Sequence, residues 1–544
     1  MLKTVIIAGY LAVLAVLGLL ARRRARRGHE DFYLAGRSLG PILLLLTMAA
    51  TNFSAFTVLG FAGDGYRVGY AWYPIMAFGT GFMALSFIFL GIPLARAARL
   101  SGAITPPEVV WHRFRNRPLR LLYLLVMVIF TLPYLALQPM GAGYALEGLL
   151  GIPYVWGAVA VTAVGTAYLL LGGMRGDAWT DALQGGVMLG AMILVVAGVT
   201  RALGGLKTAN AQVLAAYPAL FSRPGGGGEF LPGIWFSYLA LWLFCDPMFP
   251  QLFQRFLAAR DERALATTAT LYPVVTGVLF FIPVAVGVMG RLVEPGLVGK
   301  TADGILPLAV SRLLPGWVGA VTIAGAMAAL MSTMDSQLLT LSSMLVRDVR
   351  QLCNREAESR FPWNRVVIIV LACAGLGLAL RPWATIRVIA TQTFTGLAVL
   401  FPTTLAMVCW RRTNPWAAFA SILAGEVLVV LYHFRLLPTF GLLPVIPVVL
   451  VAALVLVVGS LVAPTRNLEP LARIPARAWR WAALFGLLFL AANDFWNWGR
   501  TGPLLLGLPV WLWYFFGLNI VHVGLMAMML WLAPAQLPRG SSNT

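Results

Sequence analysis

Long apolar runs recur along the whole chain and are separated by short polar or basic segments. A helix of about 20 apolar residues matches the hydrocarbon thickness of a bilayer. The pattern therefore predicts thirteen to fifteen membrane-spanning helices, the range arising because two of the runs are short. The predicted spans are 2–21, 41–62, 72–95, 121–143, 154–172, 181–203, 233–254, 268–291, 316–343, 365–381, 386–410, 416–436, 438–463, 480–496 and 506–533.

Spans 2 to 6 and spans 7 to 11 form two sets of five. The seventh span is interrupted by Pro247 and Pro250 beside Asp246, and proline disrupts a helix interior. The second span is interrupted by polar residues at the corresponding place. Discontinuous spans in matching positions of two halves indicate an inverted repeat with a binding site near mid-membrane.

This division predicts five regions of the chain. They are an N-terminal anchor helix with a basic loop, a first five-helix repeat, a loop, a second inverted five-helix repeat and additional C-terminal helices, at 1–40, 41–203, 204–232, 233–410 and 411–544. Two connections without a span, 204–232 and 292–315, are long enough to hold short gate helices.

Composition and charge narrow the class of protein. Hydrophobic residues make up 60% of the chain and charged residues 11%, against roughly 25% charged in soluble domains. This balance excludes a soluble enzyme, and the net charge of +20 reflects topology rather than nucleic-acid binding. With the N-terminus outside, most Lys and Arg residues fall on one face, which the positive-inside rule makes cytoplasmic. We expect a multi-pass protein of the plasma (cell inner) membrane with a cytoplasmic C-terminus.

Polar residues inside the spans mark candidate binding positions, because burying them in a bilayer is costly. The second span carries Thr51, Asn52, Ser54 and Thr57 near its middle. One alternative is a Ser/Thr-rich packing seam between helices.

The ninth span carries a stripe of small and hydroxyl residues with Asp335 beside it. Ser332 and Thr333 are adjacent, and their hydroxyls together with backbone carbonyls offer the all-oxygen shell that hard cations prefer. Steps of three and four residues place the stripe on one helix face. Packing is again the alternative. The stripe consists of Ala329, Ser332, Thr333, Ser336, Thr340 and Ser343.

The sixth span begins at an acid, Asp181, near its predicted cytoplasmic edge. From the residues alone, Thr180 or Asp181 equally suits capping of a helix N-terminus.

Four segments carry a resemblance to a known family: Asp31–Gly40, Gly172–Gln184, Pro250–Ala259 and Ala328–Leu339. They resemble the signatures of the sodium/solute symporter family, which includes sodium/proline, sodium/pantothenate, monocarboxylate and sodium/galactose transporters. The likeness runs from about residue 30 to 465, and the two C-terminal spans exceed the family's common 13-helix plan.

The resemblance implies an all-α, LeuT-like core in which spans 2–11 form two inverted five-helix repeats. It implies that sodium is a transported ion, not a catalytic cofactor, and that Asp181 lies on its release path. The implied sodium ligands are main-chain oxygens of three residues and hydroxyls of two, namely Ala50, Phe53, Ala329, Ser332 and Thr333.

The solute is less well defined by the resemblance. Asn52 stands where the proline transporters carry an aspartate, and Phe56-Thr57 stands where the galactose transporters carry a Glu-Gln pair. Gln392–Pro402 and Pro250–Ala259 look more like the carboxylate and pantothenate branch, which favours a small organic anion. The candidate solute-binding residues are Thr51, Asn52, Phe56, Thr57, Asp246, Gln392 and Thr395.

The sequence thus predicts a sodium-coupled secondary active symporter, not an enzyme, that imports a small solute across the lipid bilayer by alternating access. A proton-coupled transporter of the same fold is one alternative, with Asp246 or Asp335 exchanging a proton. A transporter-like sensor or an intramembrane enzyme is another, although no signalling domain, paired-histidine motif or nucleophile constellation is present in the sequence.

Overall fold

The computed structural model describes residues 29–354, 363–463, 468–472 and 478–532, together with scattered residues of 5–20. The predicted first span, 2–21, lies partly outside the described residues, and the basic cluster Arg22–Arg27 lies wholly outside them. Within the described ranges the chain is almost entirely helical, and its named strands form one short hairpin.

The helices before residue 232 include both short and very long elements. They are α1 His29–Leu34, α2 Pro41–Asn52, α3 Phe61–Val68, α4 Trp72–Phe82, α5 Ile92–Ser101, α6 Pro106–Phe114, α7 Arg117–Leu150, α8 Tyr154–Ala202 and α9 Leu206–Ala216.

The remaining helices complete the bundle and add the C-terminal elements. They are α10 Pro232–Cys245, α11 Pro250–Ala258, α12 Glu262–Met289, α13 Ile305–Leu313, α14 Gly316–Leu352, α15 Trp363–Ala379, α16 Ile386–Ala398, α17 Leu400–Cys409, α18 Pro415–His433, α19 Val445–Val462, α20 Ala478–Ala491 and α21 Val510–Leu532. The hairpin pairs β1 Leu504–Leu505 with β2 Leu508–Pro509.

In the part of the chain that the structure describes, nine helical segments are long and apolar enough to cross a membrane, and three shorter apolar helices accompany them. The protein is a multi-pass membrane protein. Fewer long helices than predicted spans are present because some spans, such as 233–254, are divided at prolines. The predicted spans 154–172 and 181–203 instead lie in one helical run, Tyr154–Ala202, which the Gly172-Gly173 pair does not end.

The two predicted helix breaks are both present. Helix α2 starts with Pro41 at its first turn, where proline is tolerated, and ends at Asn52 because Phe53 adopts φ −86°, ψ 88°. Helix α10 ends at Cys245, and Phe249 is extended (φ −60°, ψ 122°) immediately before Pro250. Proline disfavours helical geometry in the preceding residue, which explains the second break.

Helices α3 and α12 pack with their backbones in contact. A Cβ atom on Gly287 would lie 2.0 Å from the carbonyl oxygen of Ala62, and one on Gly65 would lie 2.3 Å from that of Val284. Small residues permit this close approach between membrane helices. The contact holds the segment after the first helix break against α12.

The two long connections contain short helices, as predicted. Helix α9 and two 3₁₀ turns lie in 204–232, and a 3₁₀ turn at Gly299–Gly304 followed by α13 lies in 292–315.

The C-terminal helices are attached to the first of these connections. Arg223 Nη1 lies 2.7 Å from Asp494 Oδ2, and both side chains are buried. The Asn210 amide donates to the carbonyl oxygen of Gly507 at 2.7 Å, beside the hairpin. The additional helices therefore pack on the bundle rather than extending from it.

Candidate functional site

A small cavity lies beside the two helix breaks. Its volume is about 10 Å³, room for about one water molecule and far below the roughly 300–1,000 Å³ of typical ligand pockets, so a larger ligand enters only if the surrounding side chains move apart. Residues from both halves of the chain surround it. The lining residues are Asn52, Phe56, Thr57, Phe61, Met76, Thr80, Tyr134, Trp242, Asp246, Phe249, Phe280 and Phe394.

Side chains satisfy backbone donors at the first break. The Ala55 amide donates to Gln138 Oε1 at 3.1 Å, and the Phe56 amide donates to Ser54 Oγ at 3.2 Å. Because these amides do not continue the ladder of α2, the last carbonyl groups of that helix are available to other partners. Main-chain oxygens at such a break are suited to binding a cation.

Thr333 reaches these main-chain oxygens from α14. Its Oγ1 donates to the carbonyl oxygen of Thr51 at 3.0 Å and lies 3.5 Å from that of Phe53. Ala50 and Ala329, the other implied main-chain ligands, are buried on the same two helices. The structure therefore brings Thr333 to the α2 break, with oxygen atoms suited to a hard cation.

Ser332 points to a neighbouring charged network. Its hydroxyl and that of Thr47 both donate to Asp181, and Arg255 Nη2 lies 2.8 Å from Asp181 Oδ2. Arg255 also lies 2.9 Å from Asp177 and donates to the hydroxyls of Thr47 and Ser336. We call this set the Arg255 cluster: Thr47, Asp177, Asp181, Arg255, Ser332 and Ser336.

The Arg255 cluster changes the interpretation of Asp181. The capping alternative is wrong, because Asp181 lies inside the helical run of α8 and Thr180 donates to carbonyl oxygens of that same helix. Asp181 is fully buried, in contact with Ser332 rather than at a helix end. With two carboxylates and one guanidinium ionised, the cluster carries a net negative charge and attracts a further cation.

A second buried network lies on the other side of the first helix break. Arg67 is 2.8 Å from Asp64 and 2.8 Å from Asp303, while Arg387 pairs with Asp64 at 3.1 Å and with Glu229. We call this set the Arg67 cluster: Asp64, Arg67, Glu229, Asp303 and Arg387. It joins α3, the two long connections and the start of α16.

Asp303 has an unusual environment within the Arg67 cluster. Burial raises its pKa to about 6, although the Arg67 guanidinium acts in the opposite direction. Asp303 Oδ2 also accepts the Ile386 amide at 3.1 Å, which fixes the connection against the first turn of α16. Ion pairs and a backbone hydrogen bond therefore join the 292–315 connection to α3 and α16.

The predicted solute-binding residues separate into two groups. Asn52, Phe56, Thr57 and Asp246 line the cavity. Thr51 does not, because its hydroxyl lies 3.2 Å from Ser336 on the side of the Arg255 cluster.

Gln392 and Thr395 line a different groove, beside Phe130, Trp383 and His433. The sequence interpretation did not anticipate this placement, because the two residues lie on another face of α16 from Phe394, which points into the cavity.

Sequence reasoning missed several residues of the site. Asp177 was missed, although it lies four residues from the predicted Asp181 and shares its helix face, where two like charges favour a nearby cation; this signal was visible in the sequence. The partner, Arg255, lies 74 residues from Asp181, and no local pattern connects them. Tyr134, Trp242 and Phe394 resembled ordinary apolar span residues.

Known proteins resemble this chain in sequence. The sodium:solute symporter family model matches residues 32–425. The sodium/pantothenate symporter of Escherichia coli (strain K12) is 27% identical over 463 residues, covering 84% of this chain and 95% of that protein. A sodium/proline symporter of Staphylococcus aureus (strain bovine RF122 / ET3-1) is 27% identical over 480 residues, covering 84% and 92%.

Two solved structures share the fold. A Na⁺-coupled sialic acid symporter in a substrate-bound outward-open state has a TM-score of 0.71 at 20% identity, covering 86% of this chain and 99% of that one. The nucleobase-cation-symport-1 transporter MHP1, in a closed conformation with bromovinylhydantoin bound, has a TM-score of 0.53 at 15% identity, covering 79% and 93%. The all-α LeuT-like fold predicted from the sequence is confirmed. Since the family match spans well over half of the chain, this protein belongs to the sodium:solute symporter family.

Proposed function

We propose that this sodium-coupled symporter binds its sodium ion at the break of α2, between α2 and α14. The proposed ligands are the main-chain oxygens of Ala50, Phe53 and Ala329 and the hydroxyls of Ser332 and Thr333. The observation that carries this proposal is the contact of Thr333 Oγ1 with main-chain oxygens at the break. Neutral oxygen ligands bind sodium weakly enough to release it again.

Asp181 and Arg255 form the proposed release path. Ser332 is a proposed sodium ligand and also donates to Asp181, so an ion leaving the site meets this carboxylate next. Arg255 pairs with the same carboxylate and competes with sodium for it. Departure of the ion is thus compensated by a cation that the protein already holds.

The orientation follows from the placement of basic residues. We place the protein in the plasma membrane with its N-terminus outside and its C-terminus in the cytoplasm. Residues 41–203 and 233–410 are then the two inverted repeats. The Arg67 cluster closes the outer end of the path, and the Arg255 cluster closes the inner end.

Import of a small solute through the cavity completes the proposed cycle. Asn52, Phe56, Thr57 and Asp246 are the candidate contacts, since they line the cavity beside the sodium site. Relatives of this chain are named for pantothenate and for proline, so these two solutes belong in a first uptake panel. Transport, not catalysis, is the activity we assign.

A proton-coupled mechanism is the second candidate function. The environment of Asp335 supports it. This buried carboxylate accepts no hydrogen bond from any described residue. Uptake driven by a proton gradient in sodium-free buffer would favour this candidate over sodium coupling.

Sodium binding to the purified protein tests the proposed site. We expect Ser332→Ala and Thr333→Val each to raise the half-saturating sodium concentration roughly tenfold, a loss of about 1.4 kcal/mol, and the double variant to bind no radioactive sodium. Ser342→Ala is the matched control, because the Ser342 hydroxyl donates to Leu339 of its own helix. Wild-type sodium dependence in both single variants would show that the stripe is a packing surface.

A further inference from the structure

The charge of the central cavity constrains the solute. Among the described residues that line it, Asp246 is the only one with a formally charged side chain. The other polar contacts are the amide of Asn52 and hydroxyl groups such as those of Thr57 and Thr80. A carboxylate entering this cavity would meet a carboxylate and no basic group.

Asp246 is also incompletely satisfied. It is 1% exposed, and its Oδ1 accepts a weak hydrogen bond from Cys245 Sγ at 3.4 Å. Its Oδ2 accepts none by geometry from the part of the chain that the structure describes, and the Asn52 amide, which also lines the cavity, interacts with the carboxylate. A buried carboxylate oxygen without a full hydrogen bond is energetically expensive, so this oxygen is available to a ligand.

Aromatic rings enclose the rest of the cavity. The Phe394 ring lies 4.8 Å from that of Phe249, 4.9 Å from Tyr134 and 5.4 Å from Trp242, measured between centroids. Phe56 lies 5.8 Å from Trp242 and 5.9 Å from Phe394. Ring faces attract cations, most strongly when water is excluded.

The nearest charge clusters provide no counter-ion for an anionic solute. Arg255 is paired with Asp177 and Asp181, and Arg387 is paired with Asp64 and Glu229. Neither guanidinium is among the groups that line the cavity.

One hydrogen-bond donor in the cavity is also unused. Trp242 Nε1 is buried and donates to no described group, and Trp242 lines the cavity. The site therefore offers one free acceptor, Asp246 Oδ2, and one free donor. A solute with a positively charged nitrogen and an oxygen acceptor complements both.

We propose that the transported solute is a small molecule bearing a positively charged nitrogen, which pairs with Asp246 inside the aromatic enclosure while Trp242 Nε1 donates to an oxygen of the solute. This inference rests on the proposed function of the cavity. It departs from the organic anion that the sequence favoured, because that preference came from segment likeness and not from charges at the site.

The test is sodium-driven uptake by the full-length protein in liposomes. The external mixture contains equimolar proline, γ-aminobutyrate, tetramethylammonium, pantothenate, lactate and galactose, and mass spectrometry identifies what accumulates. We expect accumulation confined to solutes with a cationic nitrogen. Accumulation of pantothenate, lactate or galactose without any nitrogen cation would overturn the inference and leave sodium symport intact. No sodium-dependent accumulation of any of the six would count against the inference and the proposed function together.

Two variants distinguish the contribution of Asp246 to solute binding from that of Trp242. Asp246→Asn should weaken binding of the accumulated solute at least tenfold, while stabilisation of the purified protein by sodium alone stays at its wild-type value. Trp242→Phe keeps a ring and removes the donor, so a smaller loss is expected. If Asp246→Asn binds the solute as tightly as the wild type with its sodium response intact, the ion pair with the solute does not exist.

Discussion

At the scale of single residues, Asp181 connects the proposed sodium site to its release path. Ser332 and Thr47 donate to different oxygens of Asp181, so Asp181→Asn keeps one of these two acceptors and removes the charge that draws a cation inward. We expect a lower turnover rate in proteoliposomes, with solute binding in detergent largely intact.

Asp261→Asn is the control for this variant. Asp261 caps helix α12 by accepting the Ala264 amide, and asparagine caps a helix equally well. Its uptake should be unchanged. An Asp181→Asn protein that turns over at the wild-type rate would return Asp181 to a structural role.

The residue scale also shows where sequence reasoning succeeds and where it ends. The three-to-four spacing of hydroxyls predicted a polar face on α14, where the structure places Thr333 at the α2 break and Ser332 in the Arg255 cluster; their role as sodium ligands stays a prediction. Arg255 was not predictable, since its role depends on acids far away in the sequence that only the folded bundle brings to it. The sequence likewise could not predict that Asp246 Oδ2 lacks a hydrogen-bond donor, because this depends on where the neighbouring donors point in the folded bundle.

At the scale of elements, the contact between α3 and α12 depends on glycine. Gly287→Ala would place a methyl group 2.0 Å from a backbone oxygen of α3, and a backbone atom cannot move aside as a flexible side chain would. We expect a loss of about 1–3 kcal/mol, the usual cost of overpacking, seen as a lower thermal midpoint in detergent.

Gly190→Ala is the corresponding control, because a Cβ at Gly190 meets no atom within 4 Å and alanine favours the helix. Its thermal midpoint should equal or exceed that of the wild type. Equal thermal midpoints for Gly287→Ala and Gly190→Ala would show that moving α3 and α12 apart does not lower the stability of the protein.

The junction of the 292–315 connection with α16 should respond to pH through Asp303. Because its pKa is raised to about 6, the folded arrangement binds a proton more tightly than an exposed aspartate would. The wild type should gain stability relative to Asp303→Asn as pH falls from about 7 to about 5. Arg67 and Asp64 surround the group and are unchanged in both proteins.

Thermal unfolding of both proteins across this pH range gives the measurement. The wild-type midpoint minus the Asp303→Asn midpoint should increase as pH falls. A value that is constant with pH, or that increases as pH rises, would contradict the raised pKa of Asp303.

Helix breaks were the most predictable elements, whereas helix continuity was the least. Pro247 and Pro250 lack a backbone N–H and clash with the preceding helical turn in any fold, so the break near them is predictable. The sequence predicted a break between spans 154–172 and 181–203, but the chain stays helical through Gly172 and Gly173, because glycine permits a break without requiring one.

At the scale of the whole molecule, the charge of the solute decides how much energy sodium can supply. A tenfold sodium gradient provides about 1.4 kcal/mol, and 100 mV adds about 2.3 kcal/mol per charge moved. A zwitterion carried with one sodium can therefore accumulate roughly 500-fold, whereas a monoanion carried with one sodium reaches only roughly tenfold.

We expect uptake to be electrogenic for a solute with a cationic nitrogen. An inside-negative potential imposed on proteoliposomes at a fixed sodium gradient should raise the steady-state accumulation, and clamping the potential at zero is the control. Accumulation that does not change with the membrane potential would indicate that one sodium ion is carried with a monoanion. Strong accumulation of a carboxylate would then require two or more sodium ions.

The proposed closure of the path by the Arg255 cluster and the Arg67 cluster has a further consequence for the sodium gradient of the cell. In the proposed arrangement the ion pairs of Arg255 with Asp177 and Asp181 fill the inner end of the path, and the Arg67 cluster obstructs the opposite entrance. An idle transporter built in this way is an electrical insulator. A cell can therefore carry many copies without short-circuiting the ion gradient on which they all depend.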